Sequence, residues 1–148
     1  MRRTLCLFAL VMLGIPIRHA TAQAQQQSAS RDMRDTLPER VVQRFVGAYI
    51  QKDLDASYAN YDTVFTHEYL GDTAGVKRIR RENWLRMATS DTAFMRRFKT
   101  LHIEVVRQDV FGPFVNFIWV SRTPDGKQVT HLDLVEVRHG KIVREIES

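Results

Sequence analysis

Apolar positions first recur with a helical period near residue 41. Val41, Val42, Phe45, Val46, Tyr49 and Ile50 make one stripe at i, i+1, i+4, i+5, i+8 and i+9, which predicts an amphipathic helix. Just ahead, Thr36-Leu37-Pro38-Glu39 fits a capping box: Thr36 caps, Pro38 sits in the first turn and Glu39 reaches back. A short second helix is expected to open at Asp53, whose carboxylate can cap it, with Leu54, Tyr58 and Tyr61 at helical spacing. The pattern then turns β-rich, and Thr63 to Tyr69 (TVFTHEY) predicts a strand. Gly71 to Gly75 reads as a turn, Val76 to Thr89 as a helix carrying Ile79, Trp84, Leu85 and Ala88, and Thr92 to Arg96 as a weaker helical segment. Three long strands are expected over Phe98 to Gln108, Pro113 to Arg122 and Lys127 to Arg138. Phe111-Gly112-Pro113 and Pro124-Asp125-Gly126 are their turns. His139-Gly140 turns the chain into a last strand, Lys141 to Glu147. Helices first and hairpin-linked strands afterwards predict segregated α+β, with helices packed on one face of a strongly curved antiparallel sheet.

The start of the chain follows a different logic. Arg2 and Arg3 precede an apolar run of about 11 residues, Leu5 to Ile15, which Pro16 breaks; Ala20-Thr21-Ala22 and Ala22-Gln23-Ala24 follow as small-x-small sites. Residues 1–22 read as a secretory signal peptide. Arg18 and His19 interrupt the run too early for a membrane span of about 20 residues, so no stable membrane anchor is expected after cleavage. The destination is export, to periplasm or medium. Residues 23–35, rich in Gln, Ser and Ala, read as a flexible leader, and 36–148 as one domain.

Removing residues 1–22 changes the charge and cysteine arguments. Twenty-two Lys and Arg against seventeen Asp and Glu give +5. Arg2, Arg3 and Arg18 leave with the segment, so the remainder carries +2, too little to call for a nucleic-acid partner. The one dense basic run, Lys77-Arg78-Ile79-Arg80-Arg81, is expected on a solvated helix face beside Glu82. Cys6, the single cysteine, leaves too, which removes disulfides, thiol nucleophiles and thiolate ligands. No nucleophile elbow, phosphate loop or dinucleotide fingerprint is present, so no cofactor is expected.

Three segments in order resemble the nuclear transport factor 2-like superfamily, which includes ketosteroid isomerase and the SnoaL-like polyketide cyclases. They are Val41-Val42-Gln43-Arg44-Phe45-Val46-Gly47-Ala48-Tyr49 with Lys52-Asp53-Leu54-Asp55; Gly75-Val76-Lys77-Arg78-Ile79-Arg80; and Asp133-Leu134-Val135-Glu136-Val137-Arg138-His139-Gly140-Lys141-Ile142-Val143. The resemblance spans roughly Glu39 to Glu147 and implies a cone: a bent sheet wraps the helices and leaves a cavity at its open end. It also implies roles. Glu68 matches the isomerase's proton-shuttling carboxylate and Asp133 its second acid, which stays protonated to donate a hydrogen bond to an oxyanion. Phe45 stands where the isomerase has an oxyanion-binding Tyr, and one missing donor typically costs about 10²–10³ in rate.

The residues themselves support the same candidates. Glu68 and Asp133 are acids inside apolar strands, where burial would make either a usable acid or base; the alternative is that each faces solvent or pairs with Arg. Strand alternation puts His131 with Asp133 and sets His67 opposite Glu68. A His131–Asp133 hydrogen bond orienting the imidazole is expected in preference to a metal site, for which His67, Glu68 or His102 would have to supply a third ligand. Tyr49, Tyr58, Trp84, Phe117 and Trp119 are core rings or the walls of a pocket for a small, flat or apolar molecule. Leu132 and Leu134 alternate with Val135 and Val137, and strands apolar on both faces suggest a homodimer through the outer sheet face. The expected function is an exported small-molecule-binding domain. The alternative is an isomerase, dehydratase or cyclase using Glu68 and Asp133, with His131, in acid–base roles.

Overall fold

A computed structural model describes residues 35–71 and 75–148. The expected signal peptide, and the leader apart from Asp35, lie outside these residues. Helix α1 (Pro38–Ile50) forms on the predicted stripe and buries Val41, Val42, Phe45 and Val46. Its start is not the expected capping box. The N-cap is Leu37, no side chain caps it, and the Arg40 and Val41 N–H groups donate to Leu37 O. Pro38 occupies the first turn, where a missing N–H goes unneeded. Helix α2 (Leu54–Tyr58) is capped as read, the Ala56 N–H donating to Asp53 Oδ1 at 2.9 Å.

Strand β1 (Tyr61–Tyr69) starts before the predicted Thr63, so Tyr61 belongs to the sheet and not to the helix. The larger correction follows it. Lys77 to Arg80, expected in a helix, form strand β2 (Lys77–Arg80), which pairs antiparallel with β1 through Val64↔Arg80, Phe65↔Ile79, Thr66↔Arg78 and His67↔Lys77. Without β2, β1 would end the sheet with a row of unpaired backbone groups, and a short, charged edge strand is a common remedy. The basic run is therefore largely an edge, and helix α3 (Arg81–Ser90) begins only after it.

Asp91 then caps α4 (Thr92–Thr100), accepting from the Ala93 and Phe94 N–H groups at 2.9 Å each. The helix runs past the predicted end at Arg96. Phe98, expected to open a strand, is a fully buried helix residue, and β3 (His102–Phe111) starts later. Strands β4 (Phe114–Arg122), β5 (Gln128–Arg138) and β6 (Lys141–Glu147) follow the predicted spans closely.

The six strands lie in the order β2-β1-β6-β5-β4-β3. All neighbours are antiparallel except β1 and β6, which run parallel and so depart from the expected all-antiparallel sheet. Register shifts in β1, in β3 near Val105 and Arg107, and between β5 and β6 near Glu136 bend the sheet without closing it. The core fills the inner face: Phe45 of α1 meets Tyr61 edge-on at 5.3 Å and Phe117 at 6.2 Å between ring centroids. Among the described residues, no helix is long and apolar enough to cross a membrane.

The β5–β6 turn has a second function in packing. His139 (φ 50°) and Gly140 (φ 72°) form a two-residue hairpin loop with both residues left-handed. A Cβ on Gly140 would lie 2.9 Å from Thr36 Cγ2, so the segment before α1 packs directly on this turn. Gly140→Ala is expected to lower stability by about 1–2 kcal/mol through the left-handed backbone alone, with the Thr36 clash added. Urea unfolding should show a lower midpoint at unchanged slope; an unchanged midpoint would contradict the contact.

Candidate functional site

The inner face of β1, β5 and β6 is polar where the sheet curves around α1 and α2. A cavity of about 70 Å³ opens there, room for about two waters. All five rings expected to wall a pocket, Tyr49, Tyr58, Trp84, Phe117 and Trp119, line it. So do four titratable groups set among them: His67, Asp133, Glu145 and Glu147.

Register explains how they meet. The parallel β1–β6 pairing sets His67 beside Glu145 and Tyr69 beside Glu147, while the antiparallel β5–β6 pairing sets Asp133 beside Glu147. His67 Nε2 lies 3.6 Å from Glu145 Oε2 and 3.5 Å from Glu147 Oε2, within ion-pair range and beyond a hydrogen bond. Asp133 Oδ2 accepts a 2.6 Å hydrogen bond from Trp119 Nε1, and the Tyr61 hydroxyl donates to Glu145. Trp84 Nε1 donates to the Tyr58 hydroxyl oxygen at 2.9 Å, which leaves the Tyr58 proton free to be given elsewhere.

Two buried atoms of the cavity lining have no hydrogen-bond partner among the described residues: His67 Nε2 and Asp133 Oδ1. Their residues are 1 % and 4 % exposed. An unsatisfied buried polar atom costs about 1–3 kcal/mol, so both atoms are expected to meet a ligand or water in the cavity. Lys52 Nζ, also buried without a hydrogen bond, is outside the lining and sits over the Phe98 ring, 4.7 Å from its centroid.

Burial sets the protonation of the acids. It raises Asp133 to about 7, helped by the charge of Glu147 and opposed by the Trp119 hydrogen bond. It raises Glu145 to about 8, helped by Asp133 and Glu147 and opposed by Tyr61. Burial also pushes the hydroxyls of Tyr49, Tyr58 and Tyr61 above the ordinary tyrosine range, so all three keep their protons at neutral pH. With its Oδ2 accepting from Trp119, a protonated Asp133 presents Oδ1 as the hydrogen-bond donor.

The remaining sequence candidates lie elsewhere. Glu68 does not line the cavity: on the opposite face of β1 from His67, it accepts from the Arg144 guanidinium at 3.1 Å. Glu68 and Asp133 therefore do not converge. The expected His131–Asp133 hydrogen bond is not formed either. His131 stacks on Trp119 with centroids 3.8 Å apart and shares a 3.0 Å hydrogen bond with Ser121 Oγ, and burial lowers its pKa. Among the described residues no group of three His, Cys, Asp or Glu side chains is placed to hold a metal ion.

Sequence reasoning missed Glu145, Glu147 and Tyr61, and set His67 aside in favour of Glu68. One signal was available in β1: Tyr61, Phe65, His67 and Tyr69 keep one parity, and the first three are buried. In β6 alternation misleads, because Ile146 looks like the inward residue and Glu145 and Glu147 like the solvated ones. The structure reverses this, with Ile146 beside Leu134 on the other face.

No family model matches the sequence, and no curated protein does. Solved structures do. A nuclear transport factor 2-like protein of unknown function from Burkholderia xenovorans aligns over 75 % of this chain and 80 % of that one, at 21 % identity and a TM-score of 0.61. The chain has the nuclear transport factor 2-like fold. A Kribbella flavida protein provisionally named a ketosteroid isomerase aligns over 74 % of this chain and 75 % of its own, at 16 % identity and a TM-score of 0.59. A second nuclear transport factor 2-like protein of unknown function, from Cytophaga hutchinsonii, aligns over 76 % of this chain and 88 % of that one, at 15 % identity and a TM-score of 0.54. These likenesses concern architecture, and within this nuclear transport factor 2-like cone the chemistry has to be argued from its own cavity.

That chemistry has a signature in stability. Asp133 and Glu145 keep their protons to higher pH when folded than a carboxyl does in the unfolded chain. Between about pH 4 and pH 8 the folded state thus binds more protons, and stability falls as pH rises through that window. The melting temperature of the wild type is expected to drop from pH 5 to pH 8, and Glu145→Gln to flatten the slope. Thermal melts across that range check this, and a flat wild-type profile would contradict it.

Proposed function

We propose that the cavity binds a small molecule and moves a proton on it, with Asp133 as hydrogen-bonding acid and His67 as base. One observation carries the reading. A protonated acid and an imidazole nitrogen, complementary in role, line one cavity, and Asp133 Oδ1 and His67 Nε2 have no hydrogen bond of their own among the described residues. In such a step His67 Nε2 takes a proton from the bound molecule while Asp133 Oδ1–H steadies the charge that develops on a nearby heteroatom. The proton then returns to a different atom, which makes the net change an isomerisation. The charge of Glu147, 3.5 Å from Nε2, stabilises the imidazolium formed on the way. The Kribbella flavida neighbour's provisional name is in keeping with proton-transfer chemistry.

Two features separate this reading from the one drawn on Glu68. Glu68, held by Arg144, has no part in it. The missing donor at Phe45 also weighs less, because Tyr49, Tyr58 and Tyr61 bring hydroxyls to the same cavity. A ligand-binding domain without turnover is the second reading, favoured by the ring of Phe45 packed among Tyr61 and Phe117 in place of a hydroxyl. A cavity of about 70 Å³ suits a smaller ligand than the roughly 300–1,000 Å³ of drug-sized pockets. Export through residues 1–22 and a homodimer through the outer sheet face, where Phe114 and Leu132 are exposed, complete the proposal. A protomer mass by light scattering would overturn the dimer.

The test needs no known substrate. Enzyme-dependent hydrogen–deuterium exchange into a panel of small ketones and imines, followed by NMR, reports proton abstraction directly. His67→Gln and Asp133→Asn are each expected to slow exchange about 10²–10⁴-fold while retaining the circular dichroism of the wild type. Exchange at wild-type rates in either variant would refute its assigned role.

A further inference from the structure

The charge of the bound molecule is written in the cavity walls. We propose that the cavity takes a small organic cation, a protonated amine or iminium bearing only a short alkyl group. This rests on the same cavity being the working site and goes on to name the class of molecule it holds.

The titratable groups facing the cavity come from five of the elements around it. β5 supplies Asp133, β6 supplies Glu145 and Glu147, β1 supplies His67 and the Tyr61 hydroxyl, and α1 and α2 supply the Tyr49 and Tyr58 hydroxyls. Tyr69 lies beside Glu147, Arg97 of α4 acts on Tyr49 from outside the lining, and Lys52 is engaged by the Phe98 ring. No Lys or Arg is among the described lining residues. An anion would meet three carboxyl groups and no fixed cation. An apolar molecule would leave Asp133 Oδ1 and His67 Nε2 unpartnered. An ammonium group satisfies both with its own N–H donors, and it brings the opposite charge to Glu147.

The apolar walls suit the same class. Trp119 meets Tyr49 edge-on at 6.0 Å, and Trp84 packs on His67 at 5.0 Å, so ring systems and carboxyls share one small space. Ring faces beside carboxylates are the usual surroundings of a desolvated alkylammonium. With such a ligand His67 keeps its role as base, while Asp133, having given up its proton, accepts from the ligand's N–H in place of donating to it. A proton leaving an iminium's neighbouring carbon moves the positive charge to His67, where the same carboxylates face it.

Protons stand in for the cation when the cavity is unliganded, since burial holds a proton on Glu145 at neutral pH and makes Asp133 share one there. An entering cation displaces one. Binding therefore releases a proton, and affinity rises with pH by up to about tenfold per unit while one group titrates.

The full chain is titrated by calorimetry with isopropylamine, which stays protonated throughout, with its neutral isostere isopropanol and with the anion isobutyrate, at pH 6, 7 and 8. Two buffers of different ionisation enthalpy count the protons released. The amine is expected to bind at least about tenfold more tightly than the alcohol at pH 8, to weaken about tenfold or more at pH 6, and to release about one proton. Asp133→Asn should reduce both affinity and proton release. Glu147→Gln, at a less buried carboxyl, should weaken the amine without weakening the alcohol. Alcohol binding as tight as the amine, an affinity flat from pH 6 to 8, or no amine binding would overturn the proposal. If the amine fails while neutral ketones exchange deuterium in a His67- and Asp133-dependent way, the cation class falls and the acid–base reading stands. If the amine binds but no ketone or imine exchanges, the cation site stands and the acid–base reading falls.

Discussion

The parallel pairing of β1 with β6 is the constraint on which the site depends. His67 and Glu145 lie far apart in the sequence, yet this ladder makes them neighbours, and the next inward pair is Tyr69 with Glu147. β5 adds Asp133 through its antiparallel register on the other side of β6. Because side chains alternate along a strand, a one-residue slip of β6 would move both glutamates out of the cavity and put Arg144 and Ile146 in their place. The flanking packing resists that slip: Ile142 and Val137 are buried in the core, and the Ile142 N–H is donated to Asn60 O just ahead of β1.

Gathering acids in a small space has an energetic consequence. Burial disfavours their charged forms, and each carboxylate raises its neighbours further, so the cluster divides into proton-holding Asp133 and Glu145 and the charge of Glu147 that acts on both. The hydrogen bonds from Trp119 and Tyr61 offset this only in part. His67 Nε2 and Asp133 Oδ1 remain without a hydrogen bond at the cavity wall. A fold optimised for stability alone would replace such groups with apolar ones, whereas working sites commonly retain them at a cost in stability.

Legibility in the sequence followed how local each cause was. α1 and the Asp53 cap of α2 were readable, because an apolar stripe and a capping carboxylate act within a few residues. The β4–β5–β6 meander was readable from strand runs broken at Gly-containing turns. The stretch from Lys77 to Arg80 was not. Its four residues suit helix or strand equally, and what decides is the open edge of β1. Phe98 was assigned to a strand because what holds the last turn of its helix is the burial of its ring in the core, a tertiary contact. The five rings were picked out correctly as inward-facing, since large aromatics on a predicted core face have few other places to go. The acids were a different case. Glu68 and Glu145 look alike in sequence, each an acid flanked by strand formers, but Glu68 meets Arg144 on the outer face and Glu145 meets Tyr61 on the inner one.

By itself the sequence determined the fold class, most of the element boundaries and which large rings face inward, because hydrophobic period, caps and turn residues act over short separations. It also singled out Asp133. Tertiary structure alone decided that His67 faces inward and Glu68 outward, that His131 serves Ser121 and Trp119 and not Asp133, and that two glutamates in the last strand complete the cavity. Those outcomes turn on which face of a two-sided sheet each residue occupies. With apolar residues on both faces of β5 and β6, hydrophobicity could not set that phase, and only the register between distant strands could.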